Sequence, residues 1–597
     1  MTRPLVTLLT ASLLVHAAGC AMGAPLDSDS TTDGSSTGGS SSGSSTTDAD
    51  TDAPEEPSNP KPEEARSFFE KYCAKCHGQG SAGNGNINYI TDLVALVEND
   101  LVVPNDPDAS RIFKRLTDPS NPMPPANETN RPSEDEIATI REWIADGALA
   151  GEGACVNDLI GFDDMFRVMR DDLFDHFEEV TDRQNIRYLT LTHLHNAGMC
   201  DRDLDVYRQA VTKGVNSLSL RPQLVVPESI DDQATIFRID LRDYGWDNNP
   251  NFVNADLWDT IAGVNPFAVP FRDGAADDVR AQTGTAVPFQ PADSFLQIAT
   301  GGVLSGVDTT EGFYYKILQF PSTLPQLEAL PFINVPDRAK AIDDGEAFRV
   351  ILTESGVASH NRAYDRYEGS SFGAYYYRSF DFAGEDGDRN LFNNPTDFVA
   401  DGGEMIFTLP NGLQGYAISN AADQLIREAP TNVVKDPGQR DAVVRAGISC
   451  MSCHSVGIIS KRDTFYDFFE KVEGNFIESE RDLIEKLMSD PDGSEKRQEA
   501  DSVQFKSLLA GLGITQPSPD PVTMNSQQFE ANLSLERVAA ELGMTADDLK
   551  FEFGGLDNAF DKLRIGNMSR DELTVLFRSS ICILLPGEDV IPDCVPG

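Results

Sequence analysis

Cys450-Met451-Ser452-Cys453-His454 places two thiols three positions apart, on one side of a helical turn. From there both can add across the vinyl groups of a porphyrin, and the adjacent imidazole can reach the iron. Cys-x-x-Cys-His is the attachment pattern of a c-type haem. The pattern occurs twice, the other copy being Cys73-Ala74-Lys75-Cys76-His77. Two covalently attached haems c are therefore expected, held by Cys73 and Cys76 and by Cys450 and Cys453. His77 and His454 are the expected iron ligands, each by adjacency to its second thiol.

Working outward, Glu63–Lys75 reads as a helix with Phe68, Phe69 and Tyr72 at core spacing. Glycines at 78, 80, 83 and 85 suit a loop passing a porphyrin edge. Met123, between Pro122 and Pro124-Pro125, is a thioether on a stiff loop, as a ligand to the iron's far face requires. A helix opened by a Ser133-x-x-Glu136 capping box follows, with Ile137, Ile140 and Ile144 on one face. A zinc corner would explain neither the Met-Pro-Pro loop nor the closing helix.

Residues 63–150 thus resemble the cytochrome c domains on large exported proteins of planctomycetes, myxobacteria and related groups. The matching pieces are Cys73-x-x-Cys76-His77, Val103-Pro104-x-x-Pro107, Met123-Pro124-Pro125 and Ile140-Arg141-x-Trp143-Ile144-x-x-Gly147-Ala148. The resemblance implies a small all-α domain with His77 and Met123 as axial ligands.

Residues 151–459 mix both kinds of structure. Phe162–Val180 and Ile186–Val215 read as helices, and Thr235–Leu241 as an alternating strand. Further strands are expected at 348–353, 374–380, 404–409 and 414–419, the last two joined through Pro410-Asn411-Gly412. The expected class is an α+β multidomain chain whose central domain is rich in antiparallel sheet, followed by a helical region at 460–597. The pieces Arg187–Leu194, Phe237–Arg242, Gly403–Gln414 and Ile448–His454 resemble a module of unassigned activity from the same bacterial groups. By that resemblance the second haem belongs to the module, and architecture alone is implied.

No Met-Pro-Pro loop follows His454. Met488, Met524, Met568 and Met405 are candidate far-side ligands in principle, as are His176, His193, His195 and His360. His193, inside a shared piece, is preferred, against the alternative of a core histidine. The polar run after His360, with Arg362, Tyr364 and Tyr367, reads as a solvated loop; its alternative is a polar group over an open iron.

The amino terminus sets the compartment. Arg3, an apolar run from Leu5 to Leu14, and Ala18-Gly19-Cys20 resemble a bacterial lipoprotein signal in residues 1–20, with Cys20 as the lipidated residue. Ordinary signal cleavage is the alternative; either exports the chain. Residues 21–62 are Ser, Thr, Gly, Asp and Pro with little to bury, a tether reaching roughly 30–35 Å. An exported lipoprotein facing the periplasm or cell surface follows, touching the membrane through its lipid. Of nine cysteines, Cys155, Cys200, Cys582 and Cys594 remain, and pairings 155–200 and 582–594 are expected.

Forty-eight basic against 96 acidic residues give a formal charge of −48. Nucleic acid is excluded as a partner, and a basic redox protein is favoured if charge steers docking at all. Oligomeric state is left open. There is no Walker loop, dinucleotide fingerprint, Gly-x-Ser-x-Gly or His-Glu-x-x-His. Three functions remain: electron transfer, a peroxidase-like oxidoreductase using an open second haem, and a ligand-binding surface protein with auxiliary haems.

Overall fold

The structure, a computed structural model, describes residues 61–77, most of 90–145 and nearly all of 155–585. The leader with Cys20, the tether through residue 60, the glycines at 78–85, Gly147-Ala148 and Cys594 lie outside the described residues, and the last two tether positions, 61 and 62, begin the first helix.

Regular structure among the described residues of 61–145 is all helix. The helices Lys61–Tyr72 and Glu134–Ala145 close on each other, Phe69 meeting Trp143 edge to face at 5.9 Å. Ala65, Phe68, Ile140 and Ile144 are buried in the same cluster. Glu136 completes the expected capping box, accepting from the Ser133 N–H at 2.9 Å. The same residue accepts from Lys71 Nζ and the Tyr72 hydroxyl, tying the two helices together. Those donors, the Ser133 N–H foremost, hold its carboxyl down at about 2.

Beyond residue 155 two sheets form. In the first, β1 (Ile186–Thr190), β2 (Glu228–Ser229), β3 (Ile236–Asp240) and β4 (Phe289–Pro291) lie in the order β2-β3-β1-β4. β1 runs antiparallel to β3 and parallel to β4. This corrects the expected helix at 186–215: its first five residues are a central strand, and helices Thr192–Asn196 and Asp201–Ser217 follow. Every residue of β1 is buried. A strand covered on both faces loses the alternation that distinguishes it from a helix.

The second sheet is an antiparallel meander in chain order: β5 (Ala347–Leu352), β6 (Arg362–Glu368), β7 (Tyr375–Phe380), β8 (Gly402–Thr408), β9 (Gln414–Asn420) and β10 (Leu425–Ile426). β6 replaces the expected solvated loop. Its polar side chains find partners across the sheet, which composition alone could not show. β8 and β9 join as expected, with Gly412 at φ +90° and the Asn411 side chain accepting from the Leu413 N–H.

The register separates two faces. Ile351, Ala363 and Phe380 face the helices Tyr466–Val472 and Glu478–Met488, burying Phe465, Phe469, Ile484 and Leu487. The opposite face carries Arg362, Tyr364, Tyr377, Ser379, Glu404 and Ile406, and it looks onto the helix Ile448–Cys453.

The helical region after 460 is not set apart. Val522, Phe529, Val538, Phe577 and Ile581 lie in one core with Ile186, Phe289 and Phe295. Cys155 and Cys200 are bridged, as expected. Cys582 is also disulfide-bonded. No helix among the described residues is long and apolar enough to cross a membrane. The last helix, Arg570–Leu584, opens on a capping box in which Ser569 Oγ accepts from the Glu572 N–H. Ser569→Ala should lower stability by about 1 kcal/mol, read as a shift of the urea midpoint at unchanged slope.

Candidate functional site

The first motif is a helix continued through a turn. Cys73 N donates to Phe69 O at 2.9 Å, and His77 N donates to Cys73 O at 2.9 Å. Both thiols therefore stand on one turn, ahead of the imidazole. Burial pushes the Cys73 thiol up to about 12, with Cys76 adding to the rise. His77 Nδ1 is buried without a hydrogen-bond partner among the described residues.

The Met123 loop is tied to the helix Arg111–Thr117 at Met123 itself and, further along, to the thiol-bearing helix and turn. Met123 N donates to Arg115 O at 2.7 Å, Asn130 Nδ2 to Lys71 O at 2.9 Å, and Arg131 Nη1 to Pro125 O at 2.8 Å. Lys75 pairs with Glu128 at 3.2 Å. These bonds hold a thioether on a stiff arm beside the thiol-bearing turn.

The second motif is set by two glycines. Gly447, at φ +93°, starts the helix where a Cβ would lie 2.4 Å from Thr300 O. Gly457, at φ +106°, lets the chain after His454 approach Ser502 on the helix Pro491–Gly511. His454 Nδ1 lies 3.1 Å from Gly457 O. An imidazole that donates there presents its other nitrogen, Nε2, to a metal. Burial holds the His454 pKa below its usual value, which favours the neutral ring that binds iron. Burial also pushes Cys450 well up and Cys453 up to about 12, so both thiols stay protonated.

Residues 60–144 match the family model described as cytochrome C oxidase, cbb3-type, subunit III. Residues 60–144 form a c-type cytochrome domain. No curated protein and no solved structure matches the chain. Cytochrome c domains hold haem c and transfer electrons through it, and Cys73, Cys76, His77 and Met123 all fall in the matched segment of this one. Were Met123 the axial ligand that the resemblance implies, Met123→Ala would abolish the charge-transfer band of thioether-ligated ferric haem and lower that haem's midpoint potential. Spectroelectrochemical titration reads both.

Outside the cytochrome domain, Cys450, Cys453 and His454 line a cavity of about 240 Å³ whose far wall is the second sheet. Ile406, Val444, Ile458 and Ile459 supply apolar lining, with Lys435 and Lys461 as cations among them. Arg362 Nη2 donates to Glu404 Oε2 at 2.6 Å and to Ser379 Oγ at 2.9 Å, and its Nε pairs with Asp381 at 2.7 Å. Burial pushes Asp381 up to about 6, offset by Arg362 and reinforced by the charge of Glu404. Burial works against Glu404 too, but Arg362 holds its carboxyl below the usual value. Two thiols, one neutral imidazole with its second nitrogen engaged, and a mainly apolar cradle fit a covalently attached haem.

His193 is not brought to this cavity. It is buried on the helix Thr192–Asn196, its Nε2 2.9 Å from Asp293 Oδ2, and it lines a separate cavity of about 30 Å³. Its partner lies a hundred residues away in sequence, so no local pattern marks it as a core histidine. Met488 and Met568 are buried in hydrophobic clusters, and Met524 lies on the helix Pro521–Phe529. Met405 borders the cavity, but its sulfur accepts from Ser419 Oγ on the sheet's other face. Tyr364 donates to Gln498 Oε1 at 2.7 Å and Tyr377 to Asp501 Oδ2 at 2.6 Å. Tyr367 donates to Asp365 on the opposite face. Glu404, Ser379 and Asp381 were not foreseen. Strand alternation could have paired Glu404 with Ile406, but no pattern along the chain aligns three strands.

Proposed function

We propose that the chain is an exported dihaem c-type cytochrome that carries electrons between a donor and an acceptor protein. One haem belongs to the cytochrome domain; the second is anchored by Cys450 and Cys453 with His454 on the iron. The observation that carries the second site is His454 itself, its Nδ1 3.1 Å from Gly457 O, lining a cavity together with both thiols. A bound haem supplies one-electron chemistry. The chain's own residues anchor it, orient the imidazole and line its surroundings with apolar side chains. Arg362, Lys435 and Lys461 are matched in formal charge by Glu404, Asp436 and the adjoining Asp381, so the wall adds little net charge.

A peroxidase-like reaction would need a polar donor free to act over the iron. Arg362, Tyr364 and Tyr377 are each committed to partners, which favours the carrier. Lipid on Cys20 would hold the protein at a membrane, facing the periplasm or the cell surface. The Cys155–Cys200 bridge suits such an oxidising compartment. The charge of −48 suits a basic redox partner. The test is a haemochrome assay on protein made with a working haem-ligation system: two haems per chain support the proposal, and one refutes it.

A further inference from the structure

We propose that Lys435 and Lys461 bind the two propionate carboxylates of the haem held by Cys450, Cys453 and His454, an assignment that rests on the reading of that motif given above. Both lysines line the cavity and both are exposed. A lysine so placed lays its stem along apolar surface and keeps its ammonium in water. The stems thus extend the apolar wall of Ile406, Val444, Ile458 and Ile459, and the charges stand at its rim. A ligand that matches this lining has an apolar body and anionic groups at its edge. A porphyrin with two propionates has that form.

The same wall holds a third cation, but Arg362 is already engaged: its guanidinium meets Glu404, Ser379 and Asp381. Neither lysine pairs with a carboxylate among the described residues. Asp436, next to Lys435 and buried, balances formal charge in the wall without forming an ion pair with it. In a chain with 96 acidic and 48 basic residues cations are in short supply, yet two that no carboxylate holds border one cavity. A carboxylate taken from water needs such a donor in exchange.

Both backbones are fixed, so binding orders little beyond the side chains. Lys461 N donates to Gln498 Oε1 at 2.9 Å, and Lys461 O accepts from Gln498 Nε2 at 3.0 Å. Lys435 lies between Val434 and Asp436, both buried, whose N–H groups donate to Pro430 O at 3.2 Å and Ala442 O at 3.1 Å. A cation at each propionate also offsets a negative charge that disfavours the electron added on reduction. The two lysines therefore raise the potential of this haem.

Resonance Raman spectra and spectroelectrochemical titration of the intact two-haem protein test this. The propionate bending band rises in frequency with the strength of hydrogen bonding to the carboxylate. Lys435→Met and Lys461→Met should each keep two haems per chain, shift one such band to lower frequency, and lower one midpoint potential while the other stays in place. Lys435→Arg and Lys461→Arg should retain both the wild-type band and the wild-type potential. Lys471→Met removes the same charge from the helix Tyr466–Val472, behind the opposite face of the sheet, and should move neither. If the band stays in place in Lys435→Met or in Lys461→Met, the assignment is overturned, even where the potential falls, because charge acting at a distance lowers the potential without touching the propionate. A wild type carrying one haem overturns the reading beneath it instead.

Discussion

Alanine at both Cys450 and Cys453 should halve the haem carried per chain, from two to one, without disturbing the spectrum of the remaining haem. Covalent attachment needs the two thiols, and His454 alone would leave a porphyrin free to wash out of the cavity. The remaining haem should keep its spectrum because the cytochrome domain packs around its own cluster of Phe69, Trp143 and Ile140, separate from the core that holds Ile448 and Met451. Distant sites with no shared partners respond independently. The mirror variant, with alanine at Cys73 and Cys76, should retain the other haem and lose the thioether charge-transfer band. Haemochrome absorbance per chain and intact mass read both results. Two haems surviving in the Cys450/Cys453 variant would remove the second site from the proposal.

What could be read along the chain was what chemistry confines to a few consecutive residues. The spacing of both Cys-x-x-Cys-His motifs, the Ser133 cap and the Asn411-Gly412 hairpin are local, and the structure shows each on the element expected of it. What failed depended on partners far off in sequence. β1 looked helical because burial on both faces erased its alternation. β6 looked like a loop because Arg362 and Arg366 are charged, yet each is matched by a carboxylate contributed from another strand or helix. Asp501, which pairs with Arg366, lies more than a hundred residues downstream. His193 drew attention as a ligand for the same reason: its real partner is across the fold.

Asp293, that partner, belongs to a buried network of charges. Asp293 accepts from His193 and from Arg537 Nη2 at 2.9 Å; Arg537 Nε donates to Glu541 at 2.8 Å; and Arg570 donates twice to the same carboxylate, at 2.6 and 2.8 Å. Two carboxylates, Asp293 and Glu541, thus face two guanidinium groups, Arg537 and Arg570. The burial that would raise the Glu541 pKa is outweighed by Arg570 and Arg537, which hold it below the usual value. Glu541→Ala would leave Arg570 buried against Phe267 and Phe529 with no carboxylate, its Nε bond to Phe529 O surviving. Removing one member of a buried ion pair costs about 3–5 kcal/mol, because the remaining charge is left uncompensated. Far-ultraviolet circular dichroism during urea unfolding should show a loss of that size. Adding Arg570→Met removes the orphaned charge, so the double variant should be less destabilised than the two single changes sum to. If Glu541→Ala costs under about 1 kcal/mol, water reaches this network and the C-terminal helices are not locked into the central core as their packing implies.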